Sequence, residues 1–596
     1  MATILTILGI GLILFVHEAG HFFAARRAGV RVEVFSLGFG PRILGWKGKE
    51  TDYRLSLLPL GGYVRMSGEE QNRPPQKGEL GAATPGQRLL IFSGGILMNF
   101  LFALVVIPLL FRVGVPFEAP VAGPVQPGSP AWEAGIQEGD HFLNIQGEPV
   151  HGFRNFAAAI ALGDESELTV ELAPRAGEAS NRFLSLRPAF NSDSGFRQVG
   201  VAPALISPKL SLIVEPGSPA SEAGLQSYDR ITAINGTSLS SPQEARLLLQ
   251  DAFLYSRSLE LSYWREGLTP VIGSAHLVLP PSLPDSSPQV GIRQAATVVR
   301  KNKMPTLIPL QENDILLEAN GLPIQRLDDL AVLCIRAKSL PAITLLREGN
   351  IIQTEAINDI THKEVLSSLW LDEGDSFRLA VIPSGPAALA GLQDHDTLLR
   401  VNGEPISNLL DLTQKVKQGI SKPLHFLVSR KGAEDPINIS VKPTPRAQPL
   451  YGFGLVSWKT TVKSTNFLQA IHMGLNEAQR MVLEIKGTLA GMFSGQVAKE
   501  NIGGIIAIGQ VTHSFASEGI VPLLFFLAMI SIHLGVLNLL PIPALDGGHI
   551  LLVLIEKLRG KPLSDRTQGA FNLAGALLVL GLVIFVTMQD ISRLMN

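Results

Sequence analysis

Four stretches of this 596-residue chain are long and apolar enough to cross a membrane as helices. A membrane-spanning helix needs about 20 mostly apolar residues. The four stretches are Ala2 to Ala25, Leu89 to Phe111, Ile520 to Leu540 and Gly569 to Met588. The first has no basic segment ahead of it and no convincing cleavage site, so we expect it to be retained rather than removed as a signal peptide. The pattern predicts a multi-pass α-helical membrane protein with four transmembrane helices.

Basic residues in the short loops predict the orientation, because such loops stay in the cytoplasm. The loop after the first span is basic, and so is the connection between the third and fourth spans. They carry Arg26, Arg27, Arg31, Arg42, Lys47, Lys49, Arg54 and Arg65 in the first loop and Lys557, Arg559, Lys561 and Arg566 in the second. We therefore expect both termini, and the long segment between the second and third spans, to lie outside the cytoplasm.

The overall composition excludes little else. The net charge is −2, whereas a nucleic-acid-binding protein normally concentrates basic residues on one face, so nucleic acid is not an expected partner. Cys334 is the only cysteine, so no disulfide can form within the chain and cysteine usage does not indicate the compartment.

The long outer segment contains a repeat with a period of about 85 residues. One copy has Pro127-Gly128-Ser129-Pro130-Ala131, followed by Asp140 and Gly147, and the same order returns around Asp229 and Asp396. A fainter copy keeps only Asp314 and Asn320-Gly321. Three similar segments close the copies: Gln198-Val199-Gly200-Val201, Gln289-Val290-Gly291-Ile292 and Tyr451-Gly452-Phe453-Gly454.

Each copy predicts short strands around one helix. The pattern resembles bacterial PDZ domains in their circularly permuted form, which implies inserted α+β PDZ-like repeats. The implied units are residues 115–205, 206–295, 296–372 and 373–460. The third is degenerate, which favours a spacer role for it. The resemblance also implies that polypeptide ends bind to these units by adding a strand to a sheet edge. An equally open interpretation is that some units are only spacers or steric filters.

The remaining segments belong to the membrane part: residues 1–114 with the first two spans, 461–519, and 520–596 with the last two. Within 461–519, Phe467 to Leu489 has apolar residues at helical spacing. This predicts an amphipathic helix that lies on the membrane surface or packs on the membrane part.

His17-Glu18-Ala19-Gly20-His21 lies within the first span. Two histidines four residues apart share one side of a helix and can chelate zinc, and a Glu between them can act as general base on a zinc-bound water. Ionisable groups are expensive inside a bilayer, which makes a chance occurrence of this pattern there improbable.

A catalytic zinc site needs a third protein ligand. Just after the third span, Asp546 is the only acid near the same membrane depth, and the prolines and glycines around it break the helix. His549 is a rival ligand that we expect to support Asp546 rather than bind the metal. His533 is expected to be a hydrogen-bonded residue between packed helices.

The two motifs together resemble the site-2 protease family of intramembrane zinc metalloproteases, in its bacterial branch of regulator of sigma-E proteases. The resemblance covers nearly the whole chain. It implies one Zn²⁺ held by His17, His21 and Asp546, with Glu18 as the catalytic base. The departure is the outer segment, since two PDZ units are the familiar arrangement and this chain has up to four.

Further positions match the family less specifically. The apolar segment Tyr53 to Val64, with Gly61 and Gly62, predicts a hairpin that resembles the family's membrane-associated β-loop, which is thought to take the substrate as an added strand. A hairpin with only a packing role is the alternative. Asn99 and Asn538 resemble positions near the family's site, and they would bond substrate backbone or join helices.

The sequence thus predicts a zinc-dependent endopeptidase that performs regulated intramembrane proteolysis of single-span proteins, such as anti-sigma factors or remnant signal peptides. Expected partners are transmembrane substrates, polypeptide ends at the PDZ-like units and the lipid bilayer. The expected location is the bacterial inner membrane, with the PDZ-like units periplasmic and the site near the cytoplasmic side. The alternative is a membrane-anchored PDZ scaffold that senses misfolded envelope proteins without proteolysis.

Overall fold

A computed structural model describes most of the chain. The described residues are 2–68, 76–163, 167–191, 196–255, 258–266, 270–278, 288–383, 385–406, 409–418, 422–445, 453–493, 503–561 and 563–595. Within them, four helices are long and apolar enough to span a membrane, one over each predicted stretch. The spans are Ala2–Arg27, Pro85–Val113, Ile520–Leu539 and Arg566–Ile591.

The N-terminal membrane part consists of two long helices separated by a β-loop. Its elements are α1 (Ala2–Arg27), β1 (Val32–Lys47), β2 (Asp52–Met66), a 3-10 turn (Leu80–Ala82) and α2 (Pro85–Val113). Helix α2 begins four residues before the predicted span because Thr84 and Gln87 form a capping box and Pro85 occupies the first helical position.

The β-loop is larger than the predicted hairpin, since β1 and β2 each bend and pair with each other twice. Phe35, for example, pairs with both Tyr53 and Val64. The result is one antiparallel sheet of four segments, which lie side by side in the order 62–66, 32–37, 52–58 and 42–47. Segments 62–66 and 42–47 are its two edges. Three large apolar side chains on the second edge are exposed, namely Ile43, Leu44 and Trp46.

The outer segment is built on a two-stranded stem that joins its beginning to its end. Strand β3 (Val115–Glu118) starts the segment, and it pairs antiparallel with residues 459–462 at the other end. Unit one follows, with its own core around Phe142 and Phe156. Its elements are β4 (Ala122–Val125), α3 (Pro130–Glu133), β5 (Phe142–Ile145), β6 (Glu148–Pro149), α4 (Phe153–Leu162), β7 (Leu168–Leu172), β8 (Arg182–Leu186), β9 (Ala189–Asn191), β10 (Phe196–Gln198) and β11 (Val201–Pro203).

The other three units are nested rather than consecutive. Unit two opens with β12 (Leu212–Val214), α5 (Pro219–Glu222), β13 (Arg230–Ile234), β14 (Thr237–Ser238), α6 (Pro242–Tyr255), β15 (Ser258–Arg265) and β16 (Val271–Val278). Next come β17 (Pro288–Gln289) and β18 (Ile292–Gln294), which pair with strands of unit four rather than with unit two.

Unit three is inserted between β18 and the rest of unit four. It contains β19 (Val298–Asn302), β20 (Ile315–Ala319), β21 (Leu322–Pro323), α7 (Leu327–Ala337), β22 (Ser339–Leu340), β23 (Ile343–Arg347), β24 (Asn350–Gln353), β25 (Ile357–Asn358), α8 (His362–Ser368) and β26 (Leu369–Asp372). Unit four then continues with β27 (Leu379–Val381), α9 (Pro386–Leu389), β28 (Thr397–Val401), β29 (Glu404–Pro405), α10 (Leu409–Gln418), β30 (Leu424–Ser429), β31 (Ile437–Val441) and β32 (Thr444–Pro445).

The strand that closes unit two arrives only after unit four is complete. This is β33 (Phe453–Leu455), which pairs with β12, and it is followed by the stem strand β34 (Lys459–Val462). The contiguous boundaries 206–295 and 373–460 are therefore wrong, because the closing segments near 290 and 453 exchange their expected partners. Val290 accordingly lies in the core of unit four, and Phe453 packs on that of unit two.

The aspartate of the repeat forms the same hydrogen bonds in every unit. It accepts two hydrogen bonds from one arginine and one from the backbone N–H three residues earlier. The pairs are Asp140–Arg175, Asp229–Arg265, Asp314–Arg347 and Asp396–Arg430. Burial alone would raise the pKa of the Asp140 carboxyl, but hydrogen bonds from Arg175 and Arg182 outweigh it and lower that pKa.

Unit three keeps this pair and has a complete core of its own. What it lacks is the short helix that Pro130, Pro219 and Pro386 begin in the other units, because its sequence has no matching proline-containing segment. Its degeneracy is therefore local.

The C-terminal membrane part comprises α11 (Phe467–Phe493), α12 (Ile505–Glu518), α13 (Ile520–Leu539), α14 (Asp546–Arg559) and α15 (Asp565–Met595). Helix α11 covers the predicted amphipathic segment and packs on the membrane helices, where Gly474 lies against Pro108 of α2. Helix α12 was not predicted. The backbone N–H groups at its start donate to the buried carboxylate of Asp590 in α15.

Candidate metal centre

Helices α1 and α2 cross closely because glycines face each other. A Cβ atom on Gly20 would lie 2.1 Å from the carbonyl oxygen of Gly94, and one on Gly94 would lie 2.5 Å from that of Gly20. Gly95 faces both histidines, since a Cβ there would lie 2.5 Å from Nε2 of His21 and 2.6 Å from Cε1 of His17. Small residues at a helix crossing allow this approach and leave space for the two imidazole rings.

The turn between α13 and α14 brings Asp546 to the same place. Asp546 is the first residue of α14, where the helix dipole favours a carboxylate. The preceding turn is tight: Ala544 has φ of 70°, and a Cβ on Gly547 would lie 2.3 Å from the carbonyl oxygen of Leu540. From the other side, Gly575 of α15 packs directly on Pro543.

Three potential ligand atoms meet in a nearly equilateral triangle. Nε2 of His17 lies 3.3 Å from Nε2 of His21, and Oδ2 of Asp546 lies 3.5 Å and 3.4 Å from these two nitrogens. Among the described residues this is the only group of three or more His, Cys, Asp or Glu side chains close enough to share a metal ion.

The dimensions of this triangle fit zinc. Tetrahedral zinc has bonds of about 2.0–2.2 Å to imidazole nitrogen and carboxylate oxygen, which corresponds to ligand–ligand separations of about 3.3–3.5 Å. Oδ2 of Asp546 is buried and has no hydrogen-bond partner in the described part of the chain, so a cation between the three atoms would satisfy it. Two imidazoles and one carboxylate are also a donor set that zinc accepts at catalytic sites.

Hydrogen bonds orient both rings. Nδ1 of His21 lies 2.9 Å from the carbonyl oxygen of Ile91 and donates to it, which leaves Nε2 free to bind a metal. Nδ1 of His17 lies 3.2 Å from the side-chain amide of Asn99, which is fully buried. With that amide oriented so that its oxygen faces the ring, Asn99 accepts the Nδ1 proton, and its otherwise unpartnered Oδ1 is satisfied.

Glu18 lies beside an edge of the β-loop. A Cβ on Gly62 would lie 2.9 Å from Cγ of Glu18, so no larger residue fits there without displacing that side chain. Gly62 belongs to the segment 62–66, whose outer edge pairs with no other described segment. Gly61, with φ of 144°, turns the chain into this segment.

The other candidate residues occupy different positions. The side-chain amide of Asn538 lies 3.4 Å from Nε2 of His17 and therefore borders the ligand triangle. His549 is outside the triangle and stacks on Phe92 with ring centroids 4.9 Å apart. His533 was expected to be hydrogen-bonded, but its buried Nε2 has no partner among the described residues.

Two features of the site were missed at the level of sequence. The acceptor for His21 is a main-chain carbonyl, which carries no residue signal. The close crossing at Gly20 and Gly94 could have been recognised, because Gly94-Gly95 in an apolar helix is a typical packing surface.

Comparison with known proteins gives a family match over most of the chain. The model of peptidase family M50 matches residues 5–582. The chain is 25% identical to the regulator of sigma-E protease RseP of Salmonella typhimurium, with 99% of this chain and 98% of that protein covered. It is 28% identical to the protease RseP of Yersinia pestis, over the same shares of the two chains.

A shorter match lies at 37% identity to a Clostridium perfringens protein named as a zinc metalloprotease, covering 35% of this chain and 60% of that protein. Among solved structures, a PDZ domain protein from Parabacteroides distasonis matches 58% of this chain and 95% of its own length. That match has 9% identity and a TM-score of 0.14.

Proposed function

Because the chain belongs to peptidase family M50 and is a zinc metalloprotease, we propose that it cleaves single-span membrane proteins within the bilayer, with His17, His21 and Asp546 as zinc ligands and Glu18 as general base. The observation that carries this proposal is the triangle of three acceptor atoms, 3.3–3.5 Å apart, which joins the first span to the turn after the third. Three electron-rich atoms in such a buried arrangement repel one another unless a cation lies between them.

The chemistry divides between the metal and the chain. Zinc held by His17, His21 and Asp546 would supply Lewis acidity for a substrate carbonyl and would lower the pKa of water to about 7. Glu18 follows His17 directly in α1. It accepts a proton from the attacking water while the water oxygen forms a bond to the carbonyl carbon. Glu18 then returns that proton to the departing nitrogen as the C–N bond breaks. Ile91 and Asn99 keep the two imidazole rings in a single orientation.

The β-loop edge beside Glu18 would hold the substrate in an extended form. A helical substrate hides its carbonyl groups in internal hydrogen bonds, so it must unwind before water can attack. The outer edge of segment 62–66, which no other described strand joins, would offer backbone donors and acceptors to an added strand next to the general base. Gly62 keeps this approach open. Asn538, whose side-chain amide borders the ligand triangle, would donate a hydrogen bond to a substrate carbonyl.

An apolar cavity of about 640 Å³ lies between α1 and the β-loop. Phe15, Phe22 and Phe35 form part of its lining, and its walls are almost entirely apolar. Such a cavity suits side chains of a transmembrane segment that has just been unwound. It supports a substrate taken from the lipid phase rather than from water.

The location follows from charge and hydropathy. The chain is a membrane protein of this family, and we place it in the bacterial inner membrane with the basic loops in the cytoplasm. The PDZ-like units would then be periplasmic, where they meet the outer part of a substrate. Anti-sigma factors and remnant signal peptides are the substrate classes that suit cleavage of a single membrane span. A fragment of the substrate would then be released into the cytoplasm.

Replacing Glu18 with Gln tests the proposal. The protein is reconstituted in lipid nanodiscs with a single-span model substrate lacking most of its outer part, and cleavage and bound zinc are both measured. Glu18→Gln is expected to lower cleavage at least about a hundredfold while keeping one zinc per chain. Glu355→Gln, an exposed acid in unit three, is the matched control and is expected to cleave normally.

Two results would contradict the proposal. Normal cleavage by Glu18→Gln would exclude this residue as the general base. Native protein with neither zinc nor cleavage would instead favour the scaffold that binds envelope proteins without cutting them.

A further inference from the structure

Helix α2 is the common support of the two helices that carry the candidate ligands. The carbonyl oxygen of Ile91 accepts a hydrogen bond from His21, and the side chain of Asn99 lies 3.2 Å from Nδ1 of His17. Both histidines belong to α1, so α2 holds their rings by contacts made at the site itself. Asp546 reaches the same place from the start of α14, so the packing of α14 decides where its carboxylate lies.

One face of α14 packs on α2. The residues of this face recur every three or four positions and are Asp546, His549, Val553 and Glu556. The imidazole of His549 stacks on Phe92 of α2, with an angle of 17° between the ring planes. Val553 and Glu556 are buried. Helix α14 thus follows α2 from the ligand triangle to its own last turn.

Glu556 makes the polar contact at the far end of this face. Its Oε2 accepts a hydrogen bond of 2.6 Å from the guanidinium of Arg88, in the first turn of α2. Its Oε1 accepts from the backbone N–H of Leu563 at 3.0 Å and from the side-chain amide of Gln568 at 3.1 Å. With both oxygens bonded and only 4% of the side chain exposed, this carboxylate is held in one position. It joins α14 to α2 and to the start of α15.

The ion pair of Arg88 and Glu556 differs from the apolar contacts of this face because it is directional. Apolar contacts depend on buried area and tolerate small shifts. A charge-assisted hydrogen bond fixes its donor and acceptor in distance and in angle. A buried ion pair adds little net stability, since the desolvation of both charges offsets their attraction, and its best-attested role is to fix the register of packed helices.

We propose that Arg88 and Glu556 are positioning residues for the metal centre, whose ion pair sets the position of α14 along α2 and thereby that of Asp546. Glu556 lies about 15 Å of helix from Asp546, so a shift at one end of α14 is carried to the other. Zinc–ligand distances vary by only about 0.2 Å, and a displacement of about 1 Å can lower catalysis a hundredfold. The proposal rests on the proposed function, in which Asp546 is a zinc ligand.

The zinc affinity of the full-length chain in nanodiscs tests the ion pair. Affinity is measured by competition with a chelator and expressed per folded chain, and thermal unfolding of the metal-free protein is recorded separately. Glu556→Gln keeps an oxygen acceptor for Leu563 and Gln568 but places an amide group where Arg88 needs a carboxylate. It is expected to weaken zinc binding about tenfold, as the loss of a residue that supports a ligand does.

Two substitutions of Arg88 complete the series. Arg88→Met leaves the buried carboxylate of Glu556 unpaired and is expected to weaken zinc binding at least as much as Glu556→Gln. A single guanidinium nitrogen donates to Glu556, so an ammonium group can take its place. Arg88→Lys is therefore expected to retain zinc affinity within about threefold of the native value.

Glu484→Gln is the matched control. Glu484 of α11 accepts a bond of the same length, 2.6 Å, from Arg154 of α4, and it lies outside the face between α2 and α14. The substitution removes an ion pair of the same kind at a separate place. It is expected to leave zinc affinity within about twofold of the native value, because distant sites act independently.

Cobalt substitution distinguishes a positioning role from a purely structural one. Co²⁺ in place of Zn²⁺ gives visible absorption bands whose energy and intensity depend on the number and arrangement of the ligands. Altered bands are expected in Glu556→Gln and Arg88→Met, and native bands in Glu484→Gln. In the first two variants kcat for an outer-truncated substrate is expected to fall while KM is unchanged, because the substrate-binding edge proposed above belongs to the β-loop.

Native zinc affinity and native cobalt bands in both Glu556→Gln and Arg88→Met would overturn the proposal, even if both variants unfold at a lower temperature. An equal loss of affinity in Glu484→Gln would also overturn it. Cleavage by the native chain, measured in parallel, separates the two proposals. Native cleavage with unchanged affinity in the variants refutes the positioning pair alone. Zinc binding that depends on Arg88 and Glu556, in a native chain that does not cleave, refutes the protease proposal alone.

Discussion

Single residues around the metal centre matter mainly through orientation. An imidazole binds a metal well only when its other nitrogen is hydrogen-bonded so that the ring and its tautomer are held in place. His21 obtains this from the carbonyl oxygen of Ile91, and His17 obtains it from the side chain of Asn99. Asn99 is the only one of these two acceptors that a substitution can remove.

Asn99→Ala is expected to weaken zinc binding by about 10- to 100-fold, because losing such a supporting partner typically costs that much affinity. Competition with a zinc chelator measures the affinity without reference to cleavage. Asn99→Asp retains an acceptor for the Nδ1 proton of His17 and is expected to bind zinc nearly as well as the native chain. If Asn99→Ala binds zinc with native affinity, Asn99 does not orient His17.

The candidate site was largely predictable at this scale. His17, Glu18 and His21 have a recognisable spacing, and the sequence pointed to Asp546 as the acid just after the third span. The structure brings the side chain of Asp546 next to both histidines. The supporting contacts were less accessible. A buried asparagine in a span indicates that it needs a partner, but the sequence does not say which one, and Asn99 contacts His17 rather than a neighbouring helix backbone.

Among the helices, the glycine surface of α2 controls how close the spans can approach. Gly95 lies directly against the two histidines, and its hydrogen atom occupies space that a methyl group could not enter. Gly86, near the start of the same helix, has open space around it. These two positions therefore provide a matched comparison within one element.

Gly95→Ala is expected to lower the zinc content of purified protein, because the new Cβ would lie 2.5 Å from Nε2 of His21 and displace this proposed ligand. Gly86→Ala is expected to keep one zinc per chain and to be neutral or slightly stabilising, since alanine favours a helix over glycine by about 0.5–1 kcal/mol. Metal analysis of the two variants checks this. Full zinc occupancy in Gly95→Ala would mean that the helices are spaced more widely than described.

Strand pairing in the outer segment was less predictable than the helices. Each arginine that pairs with a repeat aspartate lies 33–36 residues after it in the sequence. Arg347, for example, pairs with Asp314, and Arg265 pairs with Asp229. A local pattern does not identify a partner at that separation. The aspartate itself was visible in all four copies because its distance to the glycine is constant.

For the whole chain, the nested order of units has the largest consequence. The closing segments near 199, 290 and 453 are similar in sequence, and nothing local decides which opening strand each one joins. Proximity in sequence favours consecutive units. Instead, β17 pairs with β32, so the inserted part both begins and ends at one place in space.

Removing residues 288–445 is expected to leave the membrane part intact. The ends of the inserted part are adjacent, so the segments 279–287 and 446–452, which lie outside the described residues, can join directly. The shortened chain is expected to retain one zinc and to cleave an outer-truncated substrate within about threefold of the native rate. Cleavage assays and metal analysis of the shortened chain check this, and loss of zinc would show that the insert supports the membrane part.

X-ray absorption at the zinc edge of the native protein tests the metal centre most directly. One zinc per chain is expected, with nitrogen and oxygen ligands at about 2.0–2.2 Å and the multiple-scattering signal of two imidazoles. No sulfur ligand is expected, because Cys334 is buried in unit three and burial raises the pKa of its thiol to about 12. Absence of zinc, a sulfur ligand at about 2.3 Å, or an unchanged spectrum after Asp546→Ala would contradict the assignment of His17, His21 and Asp546 as its ligands.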